Sequence, residues 1–363
     1  MNASVRIPTE AGIKATASPV GPARLSAPPT LPRPVAFPVP TMVNLAVANR
    51  VVMYYQTQYQ NGQYVSVLPL IGYVTHLLLA AFHLNMGHTG ADIVHLNDNI
   101  PSSSFFDPMW PEIAQLQGNG TKVLGMLGGA APGTYDCLVD SLFDTYYPPL
   151  RDVIATYHLD GLDLDVEQSV SPATITRLIL QLKADFGEGF IITLAPVASA
   201  LTEGGNLSGF DYIDLERNMG AHIAWYNAQF YSGFGTFFPD DQYISIVDYE
   251  QGIDPARVTA VVLTNPADGG GYVDSDSVVT SIHNLMEKYG TGWGGVGGWE
   301  YFNSLPDSSQ PWEWAVTMKD AMRVQTEKME AAKLSAREAE AAAEPRTRSR
   351  IFGKLSSASP RDA

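Results

Sequence analysis

Asp163, Asp165 and Glu167 stand two residues apart in the segment HLDGLDLDVEQ, residues 158–168, interleaved with Leu162, Leu164 and Val166. In an extended strand, residues two apart point to the same face at a spacing of roughly 6.5 Å. The three carboxylates therefore share one edge, and the aliphatic residues share the other, ready to pack under helices. Asp160 is out of phase and is expected at the strand entrance, bonded locally. Three stacked acids cannot all ionise without cost, because like charges at close range raise at least one pKa. One of them is expected to hold a proton near neutral pH. Glu167 is outermost and has the longest side chain, which makes it the natural general acid, with Asp165 beneath it to orient or stabilise. A divalent metal site and a purely structural polar core are the competing readings. The other strand ends supply no matching His or Asp cluster for a metal, and no cofactor is expected.

A second set in register follows in WYNAQFY, where Trp225, Asn227, Gln229 and Tyr231 share one face. Two amides and a phenol beside an indole offer a sugar acetamide its donors, its acceptors and a flat wall. A barrel core with internally satisfied amides is the alternative, although such groups are expensive to bury without a use. In GWGGVGGWEYF, glycines at 294, 295, 297 and 298 remove bulk just before Trp299, whose indole would form the floor of a pocket.

These residues need a frame that aims them at one point. Short apolar runs occur at 50–56, 76–84, 121–129, 159–167, 190–197, 223–231, 257–263 and 292–302, alternating with helical patterns that include 138–156, 171–186 and 274–289. Eight β-then-α units of this length match a closed (β/α)8 TIM barrel, with a doubly wound open sheet as the alternative. Polar residues and glycines gather toward the C-terminal ends of several runs, where such a barrel carries its chemistry. The barrel is expected over residues 42–325, preceded by a disordered Pro-rich arm, 1–41, and followed by a charged helix and flexible tail, 326–363.

The chain of 363 residues is 45% apolar and 10% aromatic, enough for a sizeable core. Its net charge of −16 is uneven. Residues 1–40 carry four basic and one acidic residue and 319–363 carry ten and seven, which leaves −22 on the segment between them. So acidic a body repels nucleic acid and anionic membranes and favours a neutral or weakly cationic ligand. Cys137 is the only cysteine, so no intrachain disulfide can form. No window reaches the roughly 18 apolar residues of a membrane span, and residues 6–27 are broken by prolines where a leader would need an apolar run. A soluble, cytoplasmic monomer is expected, or a secreted one if translation starts elsewhere.

DGLDLDVE, residues 160–167, resembles the D-G-x-D-x-D-x-E signature of glycoside hydrolase family 18, whose members are chitinases and endo-β-N-acetylglucosaminidases on (β/α)8 barrels. GMLGGAAPG, 125–133, is similar to the third-strand S-x-G-G motif, with Met126 where serine is usual, and AQFY, 228–231, is similar to the sixth-strand pattern. Between about residues 50 and 320 the similarity is closest to filamentous-fungal endo-β-N-acetylglucosaminidases, through HLLLAAFHLN, ITLAPVASAL, WYNAQFYSGFG and GGWEYFNSLP. This resemblance implies an N-glycan or glycoprotein substrate cut between the two N-acetylglucosamines of its core. It implies Glu167 as acid and then base, Asp165 holding the substrate acetamide, and Asp163 sharing charge with Asp165. Tyr231, Asn227 and Gln229 would fix the acetamide and Trp299 would support the sugar. Gly128, Gly129 and Phe82 would line the site, with non-proline cis peptides at Ala81-Phe82 and Trp299-Glu300. A chitinase is the second enzymatic reading, and a catalytically silent carbohydrate-binding protein on the same barrel is the third.

Overall fold

The computed structural model describes residues 49–343 apart from 203, 250 and 251; the expected N-terminal arm and basic tail lie outside the described residues. Eight strands form the frame: β1 Arg50–Tyr55, β2 His76–Leu84, β3 Lys122–Gly128, β4 Gly161–Asp165, β5 Ile191–Leu194, β6 Trp225–Gln229, β7 Val258–Leu263 and β8 Gly295–Trp299. Each pairs in parallel with its sequence neighbour, and β1 also pairs with β8, so the sheet closes into a barrel. Every one of the eight apolar runs contains one strand. The strands are buried almost throughout, as parallel strands covered by helices on one side and by a filled lumen on the other must be.

Helices follow seven of the strands: α1 Met109–Gly118, α2 Phe143–Thr156, α3 Pro172–Phe186, α4 Tyr212–Met219, α5 Asp241–Asp248, α6 Ser275–Tyr289 and α7 Glu313–Ala343. After β1 the chain instead makes a small hairpin and a 3-10 turn at Leu68–Leu70, so the first unit departs from the expected βα repeat. Local chemistry sets the helix starts. Ser171, Asp211 and Asp274 each accept an early backbone N–H through their side chains. The charged C-terminal helix does not begin at 326. It is the outward run of α7, whose first turns bury Trp314, Ala315, Met318, Ala321 and Met322 against the barrel. At 31 residues it is about 46 Å long, and residues 330–341 are exposed.

The floor of the lumen is an aromatic and cationic plug. The Arg50 guanidinium lies 4.2 Å from the centre of the Trp225 ring, and His76 packs edge-on at 4.6 Å. Arg50 also donates to the carbonyls of Ala256 and Gly294, both at 2.9 Å. Burial lowers its guanidinium to about 10, which leaves it a cation at neutral pH, and burial pushes His76 down to about 3, which leaves it neutral.

The β1–β8 seam closes only because β8 is rich in glycine. Gly295 has φ +113°, and a Cβ there would lie 2.3 Å from the backbone of Arg50. Gly298 faces outward, where a Cβ would meet Trp314 at 3.0 Å and thus hold α7 off the sheet. The β8 glycines therefore admit both β1 and α7, beyond clearing space for Trp299. Gly295→Ala is expected to cost about 3 kcal/mol, measured as a shift of the urea midpoint without a change in slope.

Candidate active site

The closed barrel carries Asp163, Asp165 and Glu167 up the inside of β4 toward its C-terminal end. Asp163 is fully buried and receives three donors: Tyr54 Oη at 3.0 Å, Thr193 Oγ1 at 2.5 Å and Asn227 Nδ2 at 3.0 Å. Each comes from a different strand, β1, β5 and β6. Burial raises its pKa, and the three hydrogen bonds pull the other way. Asp160, by contrast, lies at the strand entrance, accepting from the backbone of Val123 at 2.9 Å and from Lys122 Nζ at 2.8 Å, as its phase suggested.

Asp165 and Glu167 are joined by one side chain. Gln229 Nε2 lies 3.1 Å from Asp165 Oδ1, 3.3 Å from Glu167 Oε1 and 3.0 Å from the carbonyl of Ala195. One amide nitrogen carries two hydrogens, so these three acceptors share them. Burial and then the neighbouring charges of Glu167 and Asp163 push Asp165 far above the usual carboxylate range. Glu167 is raised as well, first by burial, with Gln229 opposing. Charge crowding therefore falls chiefly on Asp165, the acid enclosed between two others. Burial thus favours the protonated form of both acids, and Asp165 bears in addition the charge of its two neighbours. Tyr231 stays a neutral O–H donor, because burial and the three nearby carboxylates push its pKa upward.

A cavity of about 430 Å³ opens over this pair, lined by Asp165, Glu167, Gln229, Tyr231, Trp299, Gly128 and Gly129 among others. Both glycines are needed at full compactness. Gly128 has φ +98°, and a Cβ there would lie 2.3 Å from the Asp165 carbonyl, while Gly129 has φ +94° and donates its N–H to that carbonyl at 3.0 Å. Trp299 packs against Tyr54 with ring centres 5.3 Å apart, and the peptide between Trp299 and Glu300 is cis, as the resemblance implied. Met126 faces Asp163 across the β3–β4 pairing and is buried, so the donors to Asp163 come from elsewhere in the lumen.

Three of the expected site residues lie away from the cavity: Asp163 beneath it, Asn227 and Phe82. Asn227 sits one layer below it, where Trp225 Nε1 donates to its Oδ1 at 2.7 Å and its own Nδ2 reaches Asp163. Its amide is used up inside the protein. Phe82 lies on the outer face of β2 in the main helix-facing core. The cause is a register shift between Leu79 and Phe82, with the cis bond at Ala80-Ala81, one residue earlier than expected. Ala80 and Ala81 then both pack inward, and Ala81 and His83 line the cavity in place of Phe82. Sequence reading also passed over Tyr54 and Thr193, although both lie in the inward phase of their strands. It passed over Glu300 too, whose buried carboxylate takes the N–H groups of Gln56 and Thr57 at 3.0 and 2.9 Å and so holds Gln56 in the cavity wall.

A parallel barrel with a graded acid series at the C-terminal end of one strand is the layout of a glycosidase. Among solved structures, the chain is similar to a fungal endo-beta-N-acetylglucosaminidase from glycosyl hydrolase family 18, with 45% identity and a TM-score of 0.71, covering 76% of this chain and 98% of that one. It is also similar to chitinase ChiC from Aspergillus fumigatus, with 48% identity and a TM-score of 0.68, covering 76% and 99%. Curated relatives include Chitinase Chi52 of Paenibacillus xylanexedens, 38% identical over 27% of this chain and 21% of that one, and Endochitinase 4 of Metarhizium anisopliae, 26% identical over 34% and 49%. The matched stretches thus span between a fifth and a half of those relatives. No family model matches the chain. The chain belongs to glycosyl hydrolase family 18.

Two tests follow from the geometry. Trp225→Phe leaves the buried Asn227 Oδ1 without its donor and is expected to cost about 1–3 kcal/mol in urea unfolding. For Asp165, the folded pKa is raised above the ordinary value of 3.8, so the folded state binds more protons than the unfolded state from about pH 4 upward. Its contribution to stability therefore falls as pH rises through that window. Asp165→Asn removes the penalty and is expected to raise the melting temperature by a few degrees at pH 7 and by less at pH 4, as read by calorimetry.

Proposed function

We propose that the protein is a retaining, substrate-assisted endo-β-N-acetylglucosaminidase that cuts the β-1,4 bond within the diacetylchitobiose core of N-glycans. The observation that carries this reading is a second cavity, about 690 Å³, that shares Gln56, His83 and Ala131 with the catalytic one. Its wall is rich in amides and hydroxyls, including Gln58, Asn85, Asn97, Asn99 and Thr134, and its aromatic members are Tyr59 and Phe105. Such a wall suits the hydroxyl-dense mannose branches of an N-glycan. A chain of N-acetylglucosamines would favour a longer row of aromatic platforms.

In the proposed reaction the acetamide of the sugar to be cleaved lies against Tyr231 and Gln229, with its N–H donating to Asp165. That donor favours ionised Asp165, so Glu167 is the member of the pair that carries the proton. Glu167 then protonates the glycosidic oxygen while the acetamide oxygen attacks the anomeric carbon. The glycosidic bond breaks, and the oxazolinium formed is stabilised by the Asp165 carboxylate. The remaining N-acetylglucosamine departs with the protein portion. Glu167, now a carboxylate, takes a proton from water as that water attacks the anomeric carbon and reopens the ring. Configuration is retained without a covalent bond to the enzyme, the substrate-assisted exception among glycosidases. Asn227, Tyr54 and Thr193 act through Asp163 and do not touch the sugar.

A chitinase is the second reading, favoured by the similarity to a solved structure named as a chitinase. Mass spectrometry of glycans released from a high-mannose glycoprotein distinguishes the two, since one N-acetylglucosamine should remain on the protein. Glu167→Gln is expected to lower the release rate about a thousandfold, and unchanged release would remove Glu167 from the acid role. Efficient cleavage of a chitin oligomer with the glycoprotein left intact would assign the chain to the second reading. Saturable glycan binding with no turnover of either substrate would make it a carbohydrate-binding protein.

A further inference from the structure

We propose that His88, Asp92 and His95 form a binding site for a divalent transition metal ion, best suited to zinc, on the loop after β2 and outside the catalytic cavity. Their ligand atoms all lie within 4.8 Å of one another, and no other group of three His, Cys, Asp or Glu side chains meets that condition among the described residues. The donors already converge. His88 Nδ1 is 2.6 Å from Asp92 Oδ2 and His95 Nε2 is 2.9 Å from Asp92 Oδ1, with the two rings nearly perpendicular at 89°.

The backbone fixes this geometry before any ion arrives. A 3-10 turn at Gly90–Ile93 brings Asp92 back over His88. The short strand Val94–Leu96 then pairs antiparallel with the end of β2, setting His95 opposite His83. Asn85 N–H to the Ile93 carbonyl at 2.9 Å and Gly87 N–H to Tyr146 Oη at 2.8 Å close the loop. Two imidazole nitrogens and one carboxylate select zinc over magnesium or calcium, which prefer all-oxygen shells, and three protein ligands leave a fourth position for water. As hydrogen bonds alone, the exposed pairs contribute little to stability. Two residues beyond His95, Asn97 donates to the Gln56 carbonyl at 2.9 Å and to Gln58 Oε1 at 2.8 Å within the polar groove. An ion at the site therefore grips the strand that leads into the groove wall. The inference stands apart from the choice of substrate.

The test uses the full chain without a histidine tag, treated with chelator and then dialysed. Isothermal titration with zinc chloride is expected to show one saturable site, with no binding of magnesium or calcium at the same concentrations. Cobalt should give a visible absorption band, and zinc should slow hydrogen exchange of the amides in 85–96. His95→Ala and Asp92→Asn should each weaken zinc binding at least tenfold, whereas the control His222→Gln should leave it unchanged. Thermal melts of the metal-free variants establish that each one folds. Absence of saturable zinc binding, or zinc binding undiminished in folded His95→Ala and Asp92→Asn, overturns the proposal.

Discussion

Two carboxylates buried on one barrel strand and a third in the cavity just beyond its end form a stack, and the rest of the molecule is arranged around that constraint. A buried carboxylate must be neutralised or hydrogen-bonded, and the lumen does both at different heights. At the level of Asp163, three strands each contribute a donor. At the level of Asp165 and Glu167, Gln229 supplies what a single amide can, and burial raises both acids above their ordinary range. Closure of the barrel is what makes this possible, because donors from β1, β5 and β6 meet on one strand only when the sheet returns on itself.

Support for the acids extends to the barrel floor. The Trp225 indole N–H fixes the Asn227 amide, which leaves that amide's own N–H for Asp163. Arg50 lies over the same indole and ties it to the β7 and β8 ends through two carbonyls. A cation thus sits at the closed end of the lumen and anions sit at the open end, with aromatic and amide groups between them. The deepest acid is well satisfied and the upper two are short of donors. That shortage raises the affinity of both for a proton, whereas a fully satisfied pair would be held ionised and less able to act as an acid.

Much of the frame was legible in the sequence. The period of two placed Asp163, Asp165 and Glu167 on one face and Asp160 at the strand entrance, and the eight apolar runs each became a strand, because parallel barrel strands are buried on both sides and read as continuous apolar text. Depth was not legible. Asn227 and Gln229 share a face and differ in height, and only the stagger of the closed sheet decides that one meets Asp163 and the other meets the cavity. Phe82 was misplaced for a related reason, since the register shift after Leu79 changes which residues of β2 face inward and no periodic pattern announces it. Glu300, His88 and Asp92 lie off the strands and His95 on a three-residue strand, where neither period can be read and residues are brought together by turns.

The same register shift shapes the junction between the two cavities. By turning Ala81 and His83 inward, β2 ends in two small or polar side chains, and His83 stands where the catalytic cavity meets the polar groove. Had the regular alternation continued, Phe82 would occupy the cavity wall and an aromatic platform would stand at that junction. The carboxylates are indifferent to this choice, because they sit on β4 or just beyond its end and draw their donors from β1, β5 and β6. The stacked acids and the wall where the cavity meets the polar groove thus come from different strands.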